Sequence, residues 1–427
     1  MHANKRESTL TSIRVNSRLI FCFLRASVVN QNAEQYNKSM HRVYLDNNAT
    51  TPVLPEVFEA MRPFYLEQFG NASSIHHYGQ HARAAVEKAR ASVAALVNAR
   101  PAEIVFTSGG TEADNLGIFG LVQRGDHVIT STIEHSAVMN SCKRLEQMGC
   151  EVAYVPVGAQ GEIYTGNVEM ALRPNTRLIS VMMANNETGV IQQVEEIGKI
   201  AQEADVFFHT DAVQAAGKIP IDVQKIACDA LSISGHKIHA PQGTGALYIK
   251  KGTLIQPQIY GGSHERQRRA GTENLPGIVG IGKAAEISKQ WLESGGPAEM
   301  AAMRDRLQDA IVSSMEDVGV NGMGAARVPN TTNLWFDHIE GEALVIALDL
   351  KGLAVSSGAA CSSGAIEPSH VLLAMGLPHQ RARASIRISL GKQTTQEDID
   401  FAIKVIPETV VRLREISPVY QKQTAAK

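Results

Sequence analysis

Phe207-Phe-His-Thr-Asp-Ala-Val-Gln214 and, a little further on, Leu231-Ser-Ile-Ser-Gly-His-Lys237 are the stretches whose reading decides the fold. Each is a short apolar strand that ends on chemistry, one on an aspartate and the other on a lysine. A carboxylate behind a buried strand is costly unless it caps a helix or meets a cation. A lysine so placed either reaches for solvent along its stem or is an amine held for Schiff-base chemistry. Similar runs recur at 103–107, 127–131, 152–157, 178–183 and 245–249. Helical patterns lie between them. Over 81–98, Ala82, Ala85, Val86, Ala89, Val93, Leu96 and Val97 form one apolar stripe, and further helices are expected at 111–122, 136–148 and around Val194–Ala204. This alternation predicts an α/β domain with a mainly parallel central sheet covered on both faces.

Working outward, Ser294-Gly-Gly-Pro297 breaks the pattern. A long helix (300–315), strands near 333–336 and 385–390, and a C-terminal helix opened by Thr395 follow, which reads as a smaller α+β unit. The first 40 residues carry six basic and two acidic side chains. We read this tail as an over-long translation start, because Met40 stands directly before the first strand-like run; an Arg-rich organellar transit peptide is the alternative. The apolar run 19–24 is too short to span a bilayer.

The 427 residues suffice for a large core without covalent staples. A net charge of −2 gives no bulk attraction to nucleic acid or to an acidic membrane, and 5% aromatics disfavour a stacking platform for single strands. Neither nucleic acid nor membrane is therefore an expected partner. Five cysteines without a CxxC pair exclude a disulfide framework and a CxxC-type zinc site. His77 and His81 stand four apart on a helix beside His76 but lack a third ligand, so no intrinsic metal is expected. His264, Arg266, Arg268 and Arg269 read as an active-site rim or a dimer contact.

In an open parallel sheet, functional residues collect where strands end and helices begin. A third such junction is Thr107-Ser-Gly-Gly-Thr-Glu-Ala-Asp-Asn115, where two glycines admit a ligand and a helix start offers N–H groups to an anion. Taken singly, these features are a tight turn, a helix cap at Asp211 and a surface lysine. Taken together, a carboxylate for a pyridinium nitrogen, a Schiff-base lysine and a phosphate-binding helix start point to pyridoxal 5′-phosphate (PLP).

Tyr44-Leu-Asp-Asn-Asn-Ala-Thr-Thr-Pro52, Phe69-Gly-Asn-Ala-Ser-Ser-Ile-His76, Ala184-Asn-Asn-Glu-Thr-Gly189, Ser234-Gly-His-Lys237 and Ser356-Ser-Gly-Ala-Ala-Cys-Ser-Ser-Gly364, in this order, resemble the cysteine desulfurases, PLP enzymes of the class V aminotransferase-like group. The likeness covers nearly all the chain after the tail. It implies the PLP-dependent transferase fold of the aspartate aminotransferase type (fold type I). A large PLP-binding α/β domain would span 55–292; a small α+β domain, 41–54 plus 293–420, would carry a catalytic cysteine loop, with tails at 1–40 and 421–427.

The same resemblance implies roles. Lys237 holds the cofactor as a Schiff base, Asp211 pairs with the ring nitrogen, and Gln214 and Asn186 bond the ring hydroxyl. His135 stacks on the ring and moves protons, while Gly110, Thr111, Ser234, Gly235 and His236 hold the phosphate. Thr272 reaches the phosphate of a neighbouring subunit, implying a homodimer, and Arg387, helped by Asn186, clamps the substrate carboxylate. Cys361 takes sulfur from L-cysteine, leaving L-alanine and an enzyme persulfide, which passes to an iron–sulfur scaffold protein; Cys361 is also a transient cluster ligand in that transfer. Its glycine- and serine-rich surroundings, 355–364, show neither helical nor strand period and read as a loop. Phe208-His-Thr-Asp-Ala-Val-Gln-Ala215, Arg269-Ala-Gly-Thr-Glu-Asn274 and Glu367-Pro-Ser-His370 most resemble the nitrogen-fixation branch, which makes nitrogenase the expected beneficiary. Ala359, Ser362 and Gly109-Gly110 depart from common family residues without removing a needed group. Selenocysteine lysis, another class V aminotransferase-type reaction, and a non-catalytic scaffold are the alternatives. The expected location is cytoplasmic, or organellar if the tail is a transit peptide.

Overall fold

Seven strands form the central sheet: β2 (Ile104–Thr107), β3 (His127–Ser131), β4 (Glu151–Val155), β5 (Thr176–Ser180), β6 (Phe207–Asp211), β7 (Ala230–Ser234) and β8 (Gly245–Ile249), in the order β2-β8-β7-β6-β5-β3-β4. The computed structural model describes residues 41–357, 368–417 and 420. All elements named here belong to the compact unit that begins at Val43. β4, β3, β5, β6 and β7 pair in parallel, as the alternation predicts. β8 runs antiparallel to both β7 and β2. Its apolar run has the same character as its neighbours', because periodicity reports burial and carries no information on direction.

Neighbouring strand residues point into two different cores. Ile129, Ile179, Phe208, Leu231, Ala246 and Tyr248 enter one apolar cluster, whereas Val128, Leu178, Ala230, Leu247 and Ile249 enter the other. On the first face lie α1 (His77–Leu96) and α5 (Leu275–Glu293); Gly282 lets them touch, since a Cβ there would sit 2.5 Å from Ala89 Cα. On the second face lie α2 (Gly110–Phe119) and α3 (Ser136–Gln147), while α4 (Val194–Glu203) returns to the first. α1 begins four residues before the apolar stripe, because His76 caps it by accepting from the Gly79 amide.

After Glu293, α6 (Gly296–Ser314) starts one turn earlier than its apolar pattern, at Gly296-Pro297, as suits a proline in the first helical turn. A second, four-stranded sheet of order β12-β13-β10-β9 follows, built from β9 (Val318–Val320), β10 (Thr331–Phe336), β12 (Ser356–Ser357) and β13 (Ser385–Ser389). Closing the chain, α7 (Gln396–Ile416) opens on the Thr395–Asp398 capping box. These elements other than β12, together with the strands β1 (Val43–Tyr44) and β11 (Leu353–Ala354), paired in parallel, share a separate apolar cluster. The structure corrects the loop reading of 355–364 at its start: Ser356 and Ser357 are a strand, held by pairing with Arg387 and Ile386 of β13. Among the described residues no helix is long and apolar enough to cross a membrane, and no group of three or more His, Cys, Asp or Glu is placed to hold a metal.

His209 ties the middle of the large sheet. Fully buried on β6, its Nδ1 meets Ser180 Oγ on β5 and its Nε2 meets Ser232 Oγ on β7, both at 2.9 Å. Gly117 of α2 makes room for the ring, since a Cβ there would lie 2.7 Å from His209 Cδ2. Burial pushes the imidazole down to about 3 and Asp114 well above the usual carboxylate range, so their 3.6 Å approach joins two neutral groups and is no ion pair. An unfolded histidine titrates near 6.5. Between about 6.5 and about 3 the unfolded chain holds a proton that folded His209 does not, so this contribution to stability is full above that window and is lost as pH falls through it. His209→Gln should therefore lose less stability than the parent between pH 7 and pH 5. Urea midpoints at the two pH values check this, and equal losses would contradict it.

Candidate active site

The C-terminal ends of β3, β6 and β7, the N-terminus of α2, the turn after β1 and β13 surround one cavity of about 270 Å³. Small-molecule sites run roughly 300–1,000 Å³. Ten of the expected residues line it: Gly110, Thr111, His135, Asn186, Asp211, Gln214, Ser234, His236, Lys237 and Arg387. Gly235 and Thr272 are not among them. A Cβ on Gly235 would lie 2.3 Å from Thr244 Oγ1, so this glycine shapes the turn behind the wall. Thr272 is exposed on the segment before α5. Cys361, like Cys22, lies outside the described residues; Cys142, Cys150 and Cys228 are buried.

Lys237 sits in the tight turn Gly235–Lys237 that follows β7, and its Nζ donates to the carbonyls of Asn48 (2.5 Å) and Ala49 (2.7 Å). The two carbonyls hold the amine at the wall of the cavity that Asp211 also lines. Asp211 ends β6 almost fully buried and accepts from the Val213 amide at 2.9 Å. Burial raises its pKa, while His135 and Lys237 favour its ionised form. An anion so placed is matched to a cationic ring nitrogen. His135 caps α3, its Nδ1 accepting from the Ala137 amide at 3.1 Å, which leaves the ring proton on Nε2. Burial lowers its pKa, opposed by Asp211, so a neutral imidazole faces the cavity. His236, held by Thr50 Oγ1 at 3.0 Å, is pushed down to about 4 by burial and the neighbouring Lys237.

The amides of the first turn of α2 have no helical acceptors. The helix begins at Gly110, where a Cβ would stand 2.9 Å from Val213 Cγ2 and 3.3 Å from Ser234 Cβ. Any side chain at 110 would close the gap between this helix start and Ser234. Free amides, the Thr111 and Ser234 hydroxyls and a neutral His236 make a donor set fit for a phosphate.

Arg387 is 5% exposed, and donates to Asp46 Oδ1 (2.7 Å) and to the Asn186 carbonyl (3.0 Å). Its Nε is buried without a partner among the described residues. Past the undescribed segment, Ser369 Oγ donates to Glu187 (2.5 Å) and His370 Nε2 meets the Glu134 carbonyl (3.0 Å), next to His135. Burial lifts Glu187 to about 7 and Glu134 to about 8. The arginine cluster divides: Arg269 pairs with Glu112 at 2.8 Å, Arg266 and Arg268 donate to the Ala102 carbonyl, and between them Glu265 is buried against Arg90 at 2.6 Å.

Several residues of the site escaped the sequence reading of roles. Asn48, Asp114 and Met182 line the cavity, Asp46 holds Arg387, and Lys218 stands behind Gln214. For Asp46 and Asn48 the available signal was the quoted 44–52 motif, which names residues without saying what they touch.

A buried acid, a lysine amine, a neutral histidine and a phosphate-sized cradle in one cavity define a PLP-dependent enzyme of the fold type I kind, and the cavity's donor set fits that cofactor. Residues 43–401 match the family described as Aminotransferase class-V. The chain is 50% identical over 382 residues to "Cysteine desulfurase" of Trichormus azollae, covering 89% of this chain and 95% of that protein. It is 48% identical over 385 residues to "Cysteine desulfurase IscS" of Dictyoglomus turgidum, covering 89% and 97%. A solved "NifS-like protein" superposes with a TM-score of 0.81 at 38% identity, covering 87% of this chain and all of that one. The chain belongs to the class V aminotransferase family and, within it, to the cysteine desulfurases; its cofactor is PLP.

If Asp211 pairs with the ring nitrogen, Asp211→Asn keeps the Val213 bond and removes the charge. Hydrogen bonds to a charged group contribute roughly 1.5–3 kcal/mol. Cofactor-stripped Asp211→Asn should therefore bind PLP at least about tenfold more weakly in a fluorescence titration. Unchanged affinity would remove Asp211 from that role.

Proposed function

We propose that this enzyme removes sulfur from L-cysteine, leaving L-alanine, and carries the sulfur as a persulfide on Cys361. The observation that supports this reading most is Lys237, Asp211, His135 and Arg387 on the wall of one cavity, in a chain that carries the desulfurase cysteine motif. When bound, PLP supplies an electron sink at the α-carbon of the amino acid. Arg387 orients the substrate carboxylate, with Asp46 and the Asn186 carbonyl holding the guanidinium in place. His135 exchanges protons through Nε2, its other nitrogen being occupied by the Ala137 amide. The Cys361 thiolate attacks the substrate sulfur: the S–S bond forms as the Cβ–S bond breaks, and the released electron pair stays on Cβ, which takes up a proton. Lys237, released from its role as cofactor anchor, is an amine on the cavity wall able to supply one.

The acceptor we propose is an iron–sulfur scaffold protein serving nitrogenase, with Cys361 as a transient cluster ligand during transfer. Its support is the motif likeness at Phe208–Ala215, Arg269–Asn274 and Glu367–His370. Nitrogenase genes beside this one would support that role, and a housekeeping cluster operon in their place would overturn it. The working form we propose is a homodimer, organised as a large domain (55–292) and a small one (41–54 plus 293–420). Exposed Phe58, Tyr65, Leu66, Phe69, Ile75 and Tyr78 fall within one stretch of chain, which supports a covered face. Thr272, exposed and outside its own cavity, is free to serve a second one.

Incubation with L-[³⁵S]cysteine followed by peptide mapping without reductant should place the label on Cys361, and Cys361→Ala should carry none. Label retained elsewhere in that variant would sink the persulfide step. Asp46→Asn should raise KM for L-cysteine about tenfold with a smaller effect on kcat, because Arg387 loses its orienting carboxylate. In sedimentation, Leu66→Glu with Ile75→Glu should turn a dimer into a monomer.

A further inference from the structure

Lys218 is buried, yet among the described residues its amine meets no carboxylate in its hydrogen bonds. Nζ donates to Gln214 Oε1 at 2.6 Å and to Asn48 Oδ1 at 2.8 Å. Burial and the neighbouring charges of Lys237 and Arg387 hold its proton affinity well below that of an ordinary lysine. A buried amine without a counter-charge costs stability, so its partners bear on what it does. The Lys218 amine donates to this oxygen, which turns the carbonyl end of the Gln214 amide toward it. The other end of that amide donates to the Asn48 carbonyl at 3.1 Å. One amide N–H is then all that Gln214 has left, and it lines the cofactor cavity. Both neighbours agree on one orientation of a side chain whose two ends are otherwise nearly the same shape.

We infer that Lys218 is a positioning residue for the cofactor's ring oxygen: by claiming the Gln214 carbonyl it fixes that side chain as a donor, so that the site takes a ring bearing a hydrogen-bond acceptor at this position. The inference rests on the proposed placement of Gln214 against the ring hydroxyl. Lys218 touches no reacting atom. It acts through Gln214, and through Asn48 it bears on the carbonyl that also receives Lys237.

The test compares two ligands on the full-length protein stripped of cofactor: PLP, and 3-deoxypyridoxal 5′-phosphate, which lacks the ring hydroxyl. The ratio of their dissociation constants is measured by fluorescence titration for the parent, Lys218→Met, Lys218→Gln and Gln214→Leu. Losing one partner of such a bond is a tenfold effect or so. Lys218→Met should reduce the parent's preference for PLP about tenfold, and Lys218→Gln, whose amide can still donate to Gln214, should keep most of it. A purely structural role for Lys218 would weaken both ligands equally and leave the ratio unchanged; that result overturns the inference. Lys218→Gln reports on the same question should the methionine variant fail to fold, since a preference lost despite a retained donor also overturns it. An unaltered ratio in Gln214→Leu would instead show that Gln214 does not face the ring oxygen, and would fail the underlying placement.

Discussion

Asn48 is the residue on which the site's geometry depends. Its amide donates to Ser389 Oγ (2.9 Å) on β13, and its carbonyl accepts from Gln214 (3.1 Å) and Lys237 (2.5 Å). Its side chain donates to Thr331 Oγ1 (2.8 Å) on β10 and to the Asn186 carbonyl (3.1 Å), and accepts from Lys218 (2.8 Å) and Asn330 (3.0 Å). Residues next to the large sheet and strands of the small sheet are thereby hung on one residue. A buried polar network holds shape when every member is satisfied and is costly when one is not. The position of Lys237 and the orientation of Gln214 thus share a single anchor with β10 and β13.

Around that anchor the interior is arranged to keep charge scarce until a ligand brings it. Asp114, Asp211 and Glu134 are all raised by burial, while His135, His209 and His236 are all lowered. Perturbed groups gathered in one concave place are the usual electrostatic mark of a reaction site. Asp211 differs from the other two acids in having His135 and Lys237 as neighbours that favour its anion. His209 lies two residues earlier on the same strand and faces two serines, so the strand carries a structural imidazole and a chemical carboxylate on one face.

Much of this was legible in the sequence because it is local. The strands that end on Asp211 and just before Lys237, the helix start at Gly110 and the cap at Thr395 follow from short patterns of apolar spacing, glycine and capping residues. The direction of β8 was not legible, since antiparallel and parallel strands bury the same residues. Nor was the partnership of Arg387 with Asp46, 341 residues apart in the chain. Nor was the burial of Lys218, which only the fold shows. Ser356-Ser357 carry no strand periodicity because a two-residue edge, held by backbone bonds to β13, leaves no room for one.

Two lysines stand near the site, the buried Lys218 behind Gln214 and the half-buried Lys237 on the cavity wall, and we propose that the covalent work falls to Lys237. Borohydride reduction of the PLP-loaded enzyme, followed by peptide mass mapping, tests that assignment most directly. A pyridoxyl adduct on Lys237 alone is the predicted result. An adduct on Lys218, or none on either lysine, would contradict it.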